Sequence, residues 1–329
     1  MVEQAEGKGE VAEGHPTDRI PEKNGVQMPL YVTEAQVAEL LTPADARAAV
    51  HASFERLARG VVDNPPRVRA ELPGGVFAVM PCVDRELGYA GLKTYAWLPG
   101  GTPFVVVLFS IERAELAAIV EADLLGQRRT AAASAVGAQL LARNDATTLG
   151  VIGCGRQAAA HVVALREALP ALERVLVFCP NEPRLAAFCL EHGCEAAEGY
   201  RNAGECDVVV TATTSKDPVL RGEWLRDGAL VLAIGANDPH ARELDNVVLE
   251  RASFVCTDSR AQAREEAGDL IEPAGRGVLD WLEVHELQDV VTGELAGRAS
   301  EDDIVLFKSN GLAAWDLAAA ARVVELLKT

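Results

Sequence analysis

The sequence predicts an α/β protein whose later half is a doubly wound, mostly parallel sheet, and three observations carry that expectation. The run TTLGVIGCGRQAAAHVVALREAL, Thr147 to Leu169, passes from an apolar strand through a glycine-rich turn into a helix without a break. Four more Val- and Ile-rich runs follow at the spacing of alternating strands and helices: Arg174 to Cys179, Asp207 to Thr213, Ala229 to Gly235 and Ser253 to Asp258. They are continuous rather than alternating, as strands covered by helices on both faces require. The length of 329 residues leaves room for a second domain with its own core.

Residues 1–25 hold several Gly, Pro and Glu and almost no large apolar side chains. They predict a disordered tail, because ordering them costs entropy that no burial offsets. A short strand is expected near Pro29, then a helix with Thr42 as N-cap and Pro43 as its first residue. Between Pro66 and Asp123, short runs punctuated by Pro-Gly, Gly-Gly and Leu-Gly predict a mixed or antiparallel sheet. The small-residue run LLGQRRTAAASAVGAQLLARN reads as a closely packing helix that delivers the chain into the second domain.

At the glycine-rich turn, Gly153 permits a tight exit from the strand, Gly155 leaves room for a pyrophosphate against the backbone, and Ala158 lets the helix pack close. Unpaired amides at the helix start face the anion. After the last of the Val- and Ile-rich strands comes an acidic helical stretch, Ala261 to Val291, then a strand IVLFKS and a helix LAAWDLAAAARVVELL. That final pair is expected to fold back on the first domain to find a partner face. The expected divisions are therefore 1–25, 26–143, 144–303 and 304–329.

A formal charge of −18 argues against nucleic acid or an anionic membrane as partner. No apolar run is long enough to span a bilayer and the N-terminus lacks the order of a signal peptide, so a cytoplasmic address is expected. The seven cysteines are scattered, with Cys82, Cys154, Cys179, Cys206 and Cys256 inside apolar runs. They predict reduced, buried thiols rather than a disulfide frame, and no CxxC or HxxxH pair offers a metal site.

Five blocks in order, RRTAAASAVGAQLLA, LGVIGCGRQAAAH, VVVTATTS, AIGANDPHARELD and FKSNGLAAWDLAAA, resemble the ornithine cyclodeaminase/mu-crystallin family over roughly Pro29 to Leu327. The resemblance implies a homodimer in which an α+β substrate-binding and dimerisation domain accompanies a Rossmann-type nucleotide-binding domain. It also implies a nicotinamide cofactor and a hydride passed between that cofactor and the α-carbon of a small amino or imino acid. Arg67, Lys93 and Arg129 match the family's substrate-binding basic positions, where cations would clamp the carboxylate. Arg129 can grip a carboxylate in two places, and Lys93 is a point charge able to reach the imine or a water.

The glycine turn and the strand ends place the cofactor against Gly153, Gly155, Thr211, Thr213, Thr214, Gly235 and Ala236, since strand C-termini line the ligand crevice of an open α/β sheet, and with the resemblance Thr130, Arg156, Gln157, Asn181 and Lys308 join them. For the threonines, capping of local turns is the competing reading. After the second strand of this sheet, Cys179, Pro180 and Asn181 stand where an acid would select NAD or an Arg NADP. Glu182 and Arg184 could reach in with opposite consequences, so the cofactor is NAD(P)H with the choice open.

One position departs from the family pattern. The cyclodeaminase and alanine dehydrogenase branches are implied to carry an aspartate where this chain has Asn237. An amide cannot shuttle a proton, although it can hydrogen-bond a substrate nitrogen or a water. Asp238 is adjacent, but neighbours leaving a strand tend to point to opposite sides. The expected function is reduction of a small ketimine or cyclic imino acid of the pyrroline- or piperideine-2-carboxylate kind to an L-amino acid, with Lys93 and Asn237 as catalytic residues. The alternatives are an ornithine cyclodeaminase, an alanine-dehydrogenase-like enzyme, or a crystallin-like protein that binds cofactor with little turnover.

Overall fold

The computed structural model describes residues 28–328, and the tail expected over residues 1–25 lies outside them. A first sheet contains β1 (Leu30–Val32), β2 (Val62–Asp63), β3 (Val68–Leu72), β4 (Gly75–Asp84), β5 (Tyr89–Trp97), β6 (Phe104–Ser110) and β7 (Glu115–Glu121). Its order is β1-β7-β6-β5-β4-β2, with β3 also on β4; β1 runs parallel to β7 and the other pairs are antiparallel. Two helices precede β2. α1 (Glu34–Leu40), which sequence reasoning missed, starts with a capping box in which Thr33 and Gln36 satisfy each other's backbone N–H. α2 (Pro43–Ala58) is capped by Thr42 with Pro43 first, as expected.

α3 (Asp123–Leu141) links the sheets, and its run of buried Ala, Ser and Gly lets neighbouring helices approach closely. The second sheet follows: β8 (Thr148–Ile152), α4 (Arg156–Ala168), β9 (Arg174–Phe178), α5 (Glu182–His192), β10 (Glu195–Ala196), α6 (Tyr200–Gly204), β11 (Val208–Thr211) and β12 (Leu230–Ala233). Next come α7 (Asn246–Arg251), β13 (Ala252–Thr257), α8 (Arg260–Glu266), α9 (Gly268–Gly275), β14 (Val284–Glu286), α10 (Leu287–Val291), β15 (Ile304–Lys308) and α11 (Ala313–Leu326). The order β10-β9-β8-β11-β12-β15-β13-β14 is parallel throughout, and its central strands are wholly buried. This is a doubly wound α/β sheet, with one apolar cluster on one face running on into the first sheet and a second cluster on the other.

Three expectations are corrected. β15 and α11 do not stay together: β15 lies between β12 and β13, while α11 packs on α2 and on β4, β5 and β6. Five consecutive buried residues need cover on both faces, which the interior of a parallel sheet provides. The stretch Ala261 to Val291 is broken into α8, α9, β14 and α10, since Gly268 starts a new helix where any side chain would strike the Ala241 carbonyl at 2.3 Å. Finally, Cys154 and Cys179 form a disulfide. Ile152 and Phe178 pair across neighbouring strands, so the two cysteines just beyond them leave the sheet side by side, a proximity that 25 residues of separation concealed.

The outer face of the first sheet is apolar but only partly covered. Pro81, Leu92, Val107 and Ile119 form a row across four strands, flanked by exposed Phe77 and Phe109. No helix among the described residues is long and apolar enough to cross a membrane.

Candidate active site

The inner face of β5 carries Lys93, aligned with Met80 on β4 and Val106 on β6. Its ammonium lies 5.3 Å from the Phe104 ring and beside Gly126 of α3, where a Cβ would sit only 3.0 Å from Nζ. Three residues on, and so on the same helix face, Arg129 is buried with its guanidinium 5.6 Å from the Trp315 ring. Between the two cations stands Asp316 of α11, fully buried, whose Oδ1 accepts from Lys93 Nζ at 3.0 Å and Arg129 Nε at 2.8 Å.

Arg67, just before β3, completes the cluster. Its Nη2 donates to the Asn310 carbonyl at 2.9 Å, its Nη1 is 3.7 Å from Glu266, and its guanidinium is 6.0 Å from the Tyr95 ring. The structure thus brings together the three predicted cations, but with two carboxylates that sequence reasoning missed. Asp316 left one signal, an acid amid the alanines at the start of its helix; Glu266 left none. With Arg69 also on Glu266, four cations face two carboxylates.

The electrostatics of this cluster favour an anionic ligand. Burial, then the nearby Arg129 charge, pushes the Lys93 ammonium down to about 8, with Asp316 opposing. Arg67 Nε and Nη1 and Arg129 Nη1 are buried and have no hydrogen-bond partner among the described residues. Buried donors are rarely left this way, and a carboxylate would satisfy them.

On the nucleotide side, Gly153 has φ +121°, and a Cβ there would lie 2.4 Å from the Ala212 carbonyl. Gly155 begins α4 without any side-chain cap, so the first-turn amides keep their anion-binding capacity. Ala158 is fully buried against the sheet. Gly235 sits where a Cβ would approach the Thr213 carbonyl to 2.4 Å. A turn stripped of side chains at these points fits the pyrophosphate and nicotinamide of a dinucleotide.

The remaining predicted contacts divide. Arg156 is exposed at the turn and pairs with Asp123, and the Gln157 Oε1 is buried and unpaired among the described residues. Asn181 caps α5 by accepting from the Arg184 amide at 3.0 Å, while Arg184 Nε donates to the Cys154 carbonyl in the turn. Thr130 donates within its own helix to the Gly126 carbonyl at 2.7 Å. Thr211 and Thr213 donate their hydroxyls to Glu243, some 30 residues on, at 2.9 and 2.8 Å; Thr214 is exposed.

Glu243, another residue missed from sequence, also accepts from the amides of Thr213, Gly235 and Ala236, tying the ends of β11 and β12 together. Its burial raises its pKa, against the opposing charge of Lys308. Lys308 itself is fully buried, with Nζ on the Ala236 carbonyl and 3.0 Å from Asp269. The expected direct cofactor contact is therefore revised: Lys308 supports the strand end from beneath, because its charge is already spent.

Asn237 is exposed and outside the buried cluster, although its carbonyl accepts from Arg69 Nη2 at 2.9 Å and so ties the β12 loop to β3. Asp238 is exposed, and its Oδ1 accepts from the His240 amide at 2.8 Å. Among the described residues, no group of three His, Cys, Asp or Glu is placed to hold a metal ion.

Residues 28–329 match the ornithine cyclodeaminase/mu-crystallin family. A Delta(1)-pyrroline-2-carboxylate/Delta(1)-piperideine-2-carboxylate reductase of Azospirillum brasilense is 38% identical over 276 residues, 80% of this chain and 84% of that protein. The Delta(1)-pyrroline-2-carboxylate reductase of Thermococcus litoralis, solved with NADH and L-proline, superposes with a TM-score of 0.85 at 28% identity, covering 91% of this chain and 97% of that one. An archaeal alanine dehydrogenase dimer with bound NAD superposes equally well, TM-score 0.85 at 33% identity, over 91% of this chain and 96% of that one.

Proposed function

This chain belongs to the ornithine cyclodeaminase/mu-crystallin family, and from that premise we propose that it is an NAD(P)H-dependent reductase of a small ketimine or cyclic imino acid, giving an L-amino acid. The observation that carries this reading is the buried cluster of Arg67, Lys93 and Arg129 with guanidinium N–H groups left unpaired. Turning C=N into CH–NH needs one hydride at carbon and one proton at nitrogen. Bound reduced nicotinamide supplies the hydride.

The chain's own residues do the rest. Arg67 and Arg129 hold the carboxylate and so fix the α-carbon in place. Lys93, held down to about 8, gives up a proton near neutral pH and suits the role of donor to the imine nitrogen. Asp316 keeps Lys93 and Arg129 on one locus. Asn237, at the rim, offers a hydrogen bond to substrate or water but no proton. The missing carboxylate there disfavours cyclodeamination and amine oxidation, which need a base to take protons from the substrate amine.

A homodimer is supported by the apolar row Pro81, Leu92, Val107 and Ile119 on the outer sheet face, a surface suited to burial against a second copy. A reaction that consumes NAD(P)H fits a cytoplasmic setting, where that cofactor is regenerated.

The test follows cofactor absorbance with pyrroline-2-carboxylate, with pyruvate plus ammonia, and with ornithine. Oxidation of NADH or NADPH with the cyclic imine is expected. Ammonia release from ornithine without net cofactor change would instead establish a cyclodeaminase, and tight cofactor binding without turnover a crystallin-like protein.

A further inference from the structure

We infer that Arg69 is a positioning residue: it ties the loop leaving β12, where the nicotinamide would lie, to the carboxylate clamp, and so sets the gap that the hydride must cross. This deepens the reductase reading and rests on it.

Arg69 stands on β3, a strand of the first sheet that pairs with β4 alone. Its guanidinium bridges two elements that belong with the second sheet. Nη1 donates to Glu266 Oε1, at the end of α8, and Nη2 donates to the Asn237 carbonyl, both at 2.9 Å. Glu266 is 1% exposed and is fixed from its other side, where Oε2 accepts from Gln262 at 3.0 Å and lies 3.7 Å from Arg67 Nη1. The same Gln262 amide donates to the Gly311 carbonyl, and at Gly311 a Cβ would sit 2.6 Å from Arg129 Nη1. Through one buried carboxylate, Arg69 is therefore linked to both guanidinium groups of the clamp.

The loop has other supports, all on its own side. Glu243 accepts from the Gly235 and Ala236 amides, and Lys308 donates to the Ala236 carbonyl. Gly268 packs behind it, so closely that a Cβ would lie 2.9 Å from the Asp238 and Pro239 carbonyls. Among the described residues, Arg69 supplies the one hydrogen bond from the first sheet to this loop. The chemistry makes that link matter. Clamp residues sit on β5, on α3 and just before β3, whereas the crevice for the hydride donor lies at the ends of the second sheet's strands. Reacting atoms thus rest on separate supports, and a misplacement of about 1 Å costs about a hundredfold in rate. An arginine suits the joint because its planar fork holds two acceptors at once in a fixed geometry.

The experiment measures single-turnover hydride transfer from NADH or NADPH to pyrroline-2-carboxylate in the wild type, Arg69→Met and Arg69→Lys. Nicotinamide fluorescence gives cofactor affinity, steady-state kinetics give KM, and mass spectrometry follows hydrogen exchange over residues 236–241. Arg69→Met is expected to slow hydride transfer about tenfold or more and to speed exchange in the loop, while cofactor affinity and KM each change less than about threefold. Arg69→Lys keeps the charge without the fork and should fall between the two. If Arg69→Met does not fold, a loss of about threefold or more in Arg69→Lys, with faster loop exchange, carries the test. Hydride transfer within about twofold of the wild type in the folded variants, a loss confined to KM or cofactor affinity, or unchanged loop exchange would overturn the role of Arg69 and leave the reductase reading intact. No hydride transfer in the wild type would overturn both.

Discussion

Neutralising Asp316 should move the alkaline limb of the pH profile, because among the described residues its carboxylate is the one anion bonded to Lys93. In the proposed reduction Lys93 acts in its protonated form, so activity would be present below its pKa and lost as pH rises through it. In the wild type that limb is expected near 8, where burial and Arg129 have driven the ammonium. Asp316 works in the opposite direction, at 3.0 Å from Nζ. An opposite charge at this range moves a partner's pKa by about one to three units, each about 1.4 kcal/mol. Asp316→Asn should therefore bring the limb of kcat/KM down to about pH 7 or below, while Arg129 keeps much of its position against Trp315. The assay is cofactor oxidation with a cyclic imine from pH 5.5 to about 9.5, with cofactor affinity measured alongside. A limb that stays at 8 while kcat falls by one factor at every pH would show that Asp316 is only structural and that Lys93 does not set the profile.

Other consequences are as specific. Gly311→Ala places a Cβ 2.6 Å from Arg129 Nη1 at a φ of +80°; KM for the imino acid should rise about tenfold or more, with cofactor affinity unchanged by fluorescence titration. Glu243→Gln puts an NH2 against backbone donors at the ends of β11 and β12, and denaturant unfolding should show a loss of about 2 kcal/mol or more together with weaker cofactor binding. His161, buried between Ser134 and the Gln157 carbonyl, is lowered to about 4 from 6.5. A depressed folded-state pKa gives stability that is complete above 6.5 and lost as pH falls toward 4, about 3 kcal/mol in all. His161→Gln should flatten the dependence of Tm on pH across that window; an unchanged slope would mean that His161 is not the group responsible.

What could be read from the sequence was what is encoded locally. The turn at Gly153, the N-cap at Thr42 and the continuous strands β8, β9, β11, β12 and β13 each follow from neighbouring residues, and the structure places them as expected. Arg67, Lys93 and Arg129 were legible only through the family resemblance, since nothing in their immediate neighbours says that a strand, a helix and a loop converge. The failures were of long range. Glu266 sits in an ordinary charged helix, and only the approach of β3 makes it a partner of Arg67 and Arg69. Lys308 looked available because the pairing that spends its charge comes from Asp269, 39 residues earlier. Cys154 and Cys179 looked like buried thiols for the same reason, their strands meeting only in the sheet.

The most direct measurement traces the hydride. The enzyme would be supplied with nicotinamide cofactor deuterated at the transferring carbon and with pyrroline-2-carboxylate, and the product analysed by mass spectrometry and chiral chromatography. One deuterium on the α-carbon of an L-configured amino acid is predicted, with the yield collapsing when Arg67, Lys93 or Arg129 is neutralised. Label that never reaches the α-carbon, or turnover indifferent to all three changes, would contradict the account.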